Sequence, residues 1–211
     1  MARFIRCGEL KWTDGIGFSP PLIVLKSGII KGNFEVTGEL VKDGKFNFPI
    51  EMKLVGGDFN CFHLNLTSLE GSPRKVESDF NCSDNKLTSL EGSPDEVGRD
   101  FYCYNNKLTN LEGAPKYISR HFNCSDNNIT SLKGAPKEVG GSFHCSDNNI
   151  ISLEGAPKFV GRDFNCLNNK LTSLEGAPKS VGRNFDIRDN ARKFTEEEVR
   201  AVCDVKGMVY V

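Results

Sequence analysis

Between Val55 and Ser180 one 21-residue pattern recurs six times, and this period constrains the fold more than any other property of the chain. Phe59, Phe80, Phe101, Phe122, Phe143 and Phe164 share one column. Cys61, Cys82, Cys103, Cys124, Cys145 and Cys166 share a second, and Pro73, Pro94, Pro115, Pro136, Pro157 and Pro178 a third. A fixed period of about 20 to 50 residues marks a solenoid, whose units bury their apolar faces against one another because none has a core of its own. Such a stack is mostly surface, and its expected trade is holding another molecule.

The unit from Val76 to Glu96 shows why. Phe80 and Cys82 alternate with Asp79, Asn81 and Ser83, the period-two signature of a short strand with one buried face. Leu87 and Leu90 follow, then a turn through Gly92 and Pro94. The column Asn85, Asn106, Asn127, Asn148, Asn169 and Asn190 is expected to form a ladder in which each amide satisfies backbone groups leaving the strand. Leu64 breaks that column in the first repeat, which predicts an irregular turn there. Gly71, Gly92, Gly113, Gly134, Gly155 and Gly176 permit a positive φ. The prolines that follow discourage a helix on the return segment.

Cysteine usage does not suggest a disulfide scaffold. Six of the eight cysteines occupy one inward column, where a free thiol serves as a small hydrophobe. Stacked side chains pointing the same way are badly disposed for a disulfide torsion. Without a CxxC pair, a zinc site has no support.

From Phe80 onward the string LxLxxNxLxxL, with Phe and Cys in its first two apolar places, resembles a leucine-rich repeat. At 21 residues it is similar to the short bacterial type of the type III secreted effectors, and the wording DFNCSDNKLTSLEGSP is similar to repeats encoded in tailed-phage genomes. The resemblance covers residues 55–190. It implies a β-rich solenoid with a parallel sheet on its concave face, six full repeats and a partial seventh. Residues 1–54 are expected to form a β-rich N-terminal cap and residues 191–211 a helix-plus-strand C-terminal cap.

The flanks fit that role. Phe34, Val36, Gly38 and Leu40 alternate with polar residues, as do Phe46, Phe48 and Ile50, with Lys42-Asp43-Gly44 as the turn between. Trp12 and Leu22-Ile23-Val24-Leu25 offer apolar cover for the first repeat. Thr195 with Glu198 forms a capping box opening a helix through Cys203, and Gly207 to Val211 reads as a last strand.

A net charge of −1 gives no whole-chain reason to expect nucleic acid or an anionic membrane. No apolar run approaches the ~20 residues of a membrane helix, and the N-terminus lacks a signal-peptide core. A cytoplasmic protein is expected, in the host cytoplasm if phage-encoded.

Columns that are identical across copies are explained by packing, so exceptions in outward columns point to function. The outward default is Asp, Asn or Ser, beginning at Ser78, Asp79, Asn81, Ser83 and Asp84. Tyr102, Tyr104, Arg120, His121, His144, Leu167, Phe62 and His63 depart from it. All three histidines and two of the four tyrosines fall on this surface. Tyr and Arg are enriched at interface hot spots. Arg99, Arg120, Arg162 and Arg183 form a row that either meets a partner's anions or neutralises Asp79, Asp100 and Asp163. Asp84, Asn105, Asp126, Asp147 and Asn168 form an oxygen-rich column of the kind hard cations accept, though no functional metal or cofactor is expected.

An enzyme is not expected. The cysteines face away from the histidines, and the glycines are used up in turns rather than in a phosphate loop. The expectation is a binding protein that grips a protein partner through Tyr102, Tyr104, Arg120, His121 and His144, flanked by Arg99, Arg162, Phe62, His63 and Leu167. The resemblance suggests a phage protein engaging or inhibiting a bacterial host factor or defence component. Nucleic acid is not the expected partner. The alternatives are a binder of nucleic acid or phosphate ligands using the arginine row and tyrosines, and a self-assembling virion component.

Overall fold

The protein is described here from a computed structural model over residues 28–48 and 50–211. Trp12, Leu22 to Leu25 and Cys7 lie outside the described residues. The chain winds into a β-solenoid carrying two nine-stranded, fully parallel sheets along its length. Each turn contributes two residues to each sheet. In the second repeat these are Lys75–Val76 and Phe80–Asn81, separated by a corner at Glu77 to Asp79. We name the sheets for their inward residue, the Val sheet and the Phe sheet. The sequence pattern announces only the Phe sheet.

Successive turns pair in strict register. Phe101 lies opposite Phe80 and Phe122, and Val97 opposite Val76 and Ile118. The Phe rings therefore form a file, with centroids 5.2–5.6 Å apart from Phe59 to Phe164. Contacts of this kind contribute about 0.5–1.5 kcal/mol each beyond simple burial. The Phe, Cys, Leu and Val columns are buried along the stack. Each thiol of this column donates to the carbonyl of the residue just after the next turn's Phe, as Cys82 Sγ does to Tyr102 O at 3.4 Å.

The asparagine ladder holds the turn after the Phe sheet. Asn127 Oδ1 accepts the Leu108 N–H at 2.9 Å, and its Nδ2 donates to the carbonyls of Cys103, Cys124 and Ser125 at 3.1 Å each. Where Leu64 interrupts the column, Asn85 Oδ1 receives both Leu64 N–H and Leu66 N–H. Asn65 there takes a positive φ of 57°. That turn is irregular as expected. On the return segment, Gly113 has φ 92°, and a Cβ there would stand 2.5 Å from Glu91 N. The following prolines are buried, and the return runs through bends without helix.

The ladders extend beyond the sequence repeats. Ile29–Ile30 and Phe34–Glu35 form the first rungs of the two sheets, and Asp204–Val205 and Val209–Tyr210 the last. Val41–Lys42 and Lys45–Phe46 form an antiparallel hairpin around Asp43 and Gly44, both at positive φ. One expectation is corrected: the alternation Phe34-Val36-Gly38-Leu40 is not a continuous strand. Gly38–Leu40 is a single turn of 3-10 helix, which buries Val36 and Leu40 by turning the chain instead of extending it. Near the other end, Thr195 Oγ1 and the Glu198 carboxylate complete the capping box on helix Glu196–Val202.

Candidate functional site

The outer face of the Phe sheet has three files of side chains. The first, just before the Phe, runs Asp58, Asp79, Asp100, His121, Ser142, Asp163 and Asn184. Each side chain accepts the backbone N–H of the same position one turn on: Asp79 Oδ1 that of Asp100 at 3.1 Å, Asp100 Oδ1 that of His121 at 2.8 Å, His121 Nδ1 that of Ser142 at 3.0 Å. His121 is therefore a rung of this ladder. Its ring supplies an acceptor where the neighbouring turns use a carboxylate.

The second file runs Asn60, Asn81, Tyr102, Asn123, His144, Asn165 and Asp186. Its default has a structural purpose, since Asn81, Asn123 and Asn165 each accept the N–H two residues on through Oδ1. Tyr102 and His144 replace that device with rings, one rung either side of Asn123. In the third file Ser83 stands between Phe62 and Tyr104 and is fully buried, as nearly are Ser125 and Ser146. The sequence reading of this file as open and polar is corrected: only its larger members reach solvent. Phe62 is 46% exposed, while Tyr104 and Leu167 are half-buried.

The most connected member is Tyr102. Its hydroxyl donates to Asp100 Oδ2 at 3.1 Å, while the other oxygen of that carboxylate holds the His121 N–H and faces Arg120 Nε at 4.0 Å. Asp100 is only 5% exposed. Burial, then the Asp100 charge, push the Tyr102 phenol up to about 12. Burial, then the neighbouring His121, hold His144 below the ordinary imidazole value, partly offset by Asp163. Three consecutive turns thus assemble Tyr102, Tyr104, Arg120, His121 and His144 on one face. Phe62 and His63 lie two turns before Tyr104, and Arg162 and Leu167 belong to the turn after His144. Asp100 was missed because in sequence it is indistinguishable from Asp79 or Asp163.

The arginine row divides between its two readings in favour of neutralisation. Arg99 faces Asp79, and Arg183 faces Asp163, each at 3.8 Å, as Arg120 faces Asp100. Arg162 has Ser142 in the corresponding place. The oxygen column has a backbone explanation. His63, Asp84, Asn105, Asp126, Asp147, Asn168 and Asp189 all sit at φ 51–55°, a region Asn and Asp tolerate better than most residues. Asn105 Nδ2 donates to Asp84 Oδ1 at 2.6 Å, and Asn168 Nδ2 to Asp147 Oδ1 at 2.7 Å. Burial, then the carboxylates of Asp147 and Asp84, raise the Asp126 pKa. Among the described residues no group of three or more metal-ligating side chains converges.

Tyr210 also belongs to the second file, since it pairs with Asp186. Arg188 lies over its ring at 5.2 Å. Its only sequence signal was a place in a final strand of unknown register. Among the described residues no helix is long and apolar enough to cross a membrane. Compared with protein-family models and with curated proteins, the chain matches none.

Proposed function

We propose that this solenoid is a non-enzymatic binding protein that holds a protein partner against the outer face of its Phe sheet. The observation carrying this reading is the Tyr102 phenol tethered to the buried Asp100 carboxylate, with Tyr104 beside it and His144 two rungs on. A ring already fixed by a buried acceptor loses little freedom on docking, and pre-organised aromatics are the usual anchors of interfaces. Support for a non-catalytic role comes from the thiols, which lie on the inward side of the sheet with their pKa raised by burial. Arg99, Arg120 and Arg183 already face carboxylates, which lowers their value as an anion-binding row. In keeping with the phage-like wording of the repeats, the proposed partner is a bacterial host protein met in the cytoplasm.

The test is affinity capture from bacterial lysate with the parent and a Tyr102→Ala/Tyr104→Ala variant, read by quantitative mass spectrometry. A partner held by the parent should be lost by the variant, since truncating one hot-spot side chain costs about 2 kcal/mol or more, roughly thirtyfold in Kd. Equal capture by both proteins would remove the face from consideration.

A further inference from the structure

A second basic column, four residues before the arginine row and ahead of the Val sheet, lacks the ion pairs that occupy that row. Lys116, Lys137, Lys158 and Lys179 stand one above another on four consecutive turns. Lys137 N–H donates to Lys116 O at 2.8 Å, Lys158 N–H to Lys137 O at 2.9 Å, and Lys179 N–H to Lys158 O at 2.8 Å. Strand spacing of about 4.8 Å places the four residues along about 14 Å. Among the described residues none of these lysines makes an ion pair, whereas Lys75 and Lys133 do, with Glu96 and Glu112. The four lie in the bends just before the strands, stacked at the strand spacing, where like charges repel and a bound anion would relieve the repulsion.

Each of these lysines immediately precedes an outward residue of the Val sheet. Those residues include the two most exposed rings of the repeats outside the Phe sheet: Tyr117 at 61% and Phe159 at 45%. Glu138 lies between them in register. All three line an open groove of ≈ 920 Å³ along the Val sheet, where Gly140 and Gly161 leave the backbone bare. The groove's other carboxylates, Glu77, Asp95 and Glu96, belong to earlier turns, where Asp95 ends the lysine column.

From this juxtaposition we infer that the Val-sheet groove binds single-stranded nucleic acid, with phosphates on the lysine file and bases on Tyr117 and Phe159. A basic track beside aromatic platforms is the arrangement that holds single strands without strict sequence preference. Two rungs separate the rings by about 9.6 Å, close to the three stacking intervals of about 3.4 Å that two bases between two rings require. The exposed Glu138 carboxylate, on the rung between the two rings, accepts a hydrogen bond from an exocyclic amino group at the edge of the stack, which favours cytosine over thymine. The site is separate from the Phe-sheet face and does not depend on the reading given to that face.

The test is fluorescence anisotropy with labelled oligo-dC and oligo-dT at a series of salt concentrations, with polyphosphate and polyglutamate as base-free polyanions. The parent should bind oligo-dC more tightly than oligo-dT. Lys137→Gln/Lys158→Gln should reduce the slope of log K against log salt by about 1.4, at about 0.7 per single-strand phosphate contact. Tyr117→Ala/Phe159→Ala should weaken oligonucleotide binding about thirtyfold or more while leaving polyphosphate affinity unchanged. All four side chains are exposed, so parent and variants should share one fold, with circular dichroism as the control. Failure of the parent to bind at low salt would overturn the proposal. So would equal loss of oligonucleotide and polyphosphate on removing the rings, or polyglutamate binding as tight as oligo-dC.

Discussion

Asp100 and His121 are joined across one turn by a 2.8 Å bond from the His121 N–H to the Asp100 carboxylate, and His121 passes the same service to Ser142 through its Nδ1 at 3.0 Å. The imidazole there must carry its proton on Nε2. A residue that looked like an exposed binding group is therefore also part of the scaffold.

His121→Ala should strand the Ser142 N–H and cost about 1–3 kcal/mol. His121→Asp should restore it, because Asp58, Asp79 and Asp163 make the equivalent bond at their own turns. Urea denaturation of the two variants reads the difference. Equal stability would show that the ladder contributes nothing at this rung.

Asn127→Leu should destabilise by about 3 kcal/mol or more, since it leaves one N–H and three carbonyls without their side-chain partner, each such loss being worth about 1–3 kcal/mol when buried. The same change at Asn190, whose partners are partly exposed, should cost less. Matching midpoints for the two variants would contradict burial as the cause.

Native protein should resist alkylation at Cys61, Cys82, Cys103, Cys124, Cys145 and Cys166, which are all buried. Burial raises every one of these thiols above its ordinary pKa, and the thiolate is the reactive form. Peptide mapping should find label at these sites only across the unfolding transition. Labelling of the folded chain would place the cysteines elsewhere.

His144 links stability to pH. Its folded pKa lies below 6.5 because burial and His121 disfavour the charged ring. As pH falls through 6.5 the unfolded chain takes up the proton first, so this contribution is full above that value and declines below it. His144→Asn, which installs the default residue of the file, should flatten that part of the profile. Identical acid limbs for parent and variant, measured by urea midpoints, would rule out His144 as the source.

Much of this architecture was legible because the chain compares itself with itself. Phe101, Cys103, Leu108 and Asn106 repeat at one spacing, and a residue kept in every turn is one that packing or backbone chemistry requires. The Val sheet was not legible. Its strands are two residues long, and their outward members run Lys75, Glu96, Tyr117, Glu138 and Phe159, which presents no constant column beside the valine. Ser83 and Ser125 misled in the opposite direction, because a small polar residue in an outward file is covered when its neighbours are larger. The Tyr102–Asp100 bond needed coordinates, since nothing in the order of residues distinguishes that aspartate from its equivalents in other turns.

The strict register of Phe101 with Phe80 and Phe122 gives the molecule the character of a gauge. Removing or adding one whole period changes its length by about 4.8 Å and leaves each file intact. An edit of 20 or 22 residues instead would throw every ring after it out of line. Insertions and losses are thus confined to whole periods, and each one alters how far apart two groups on the same file are held.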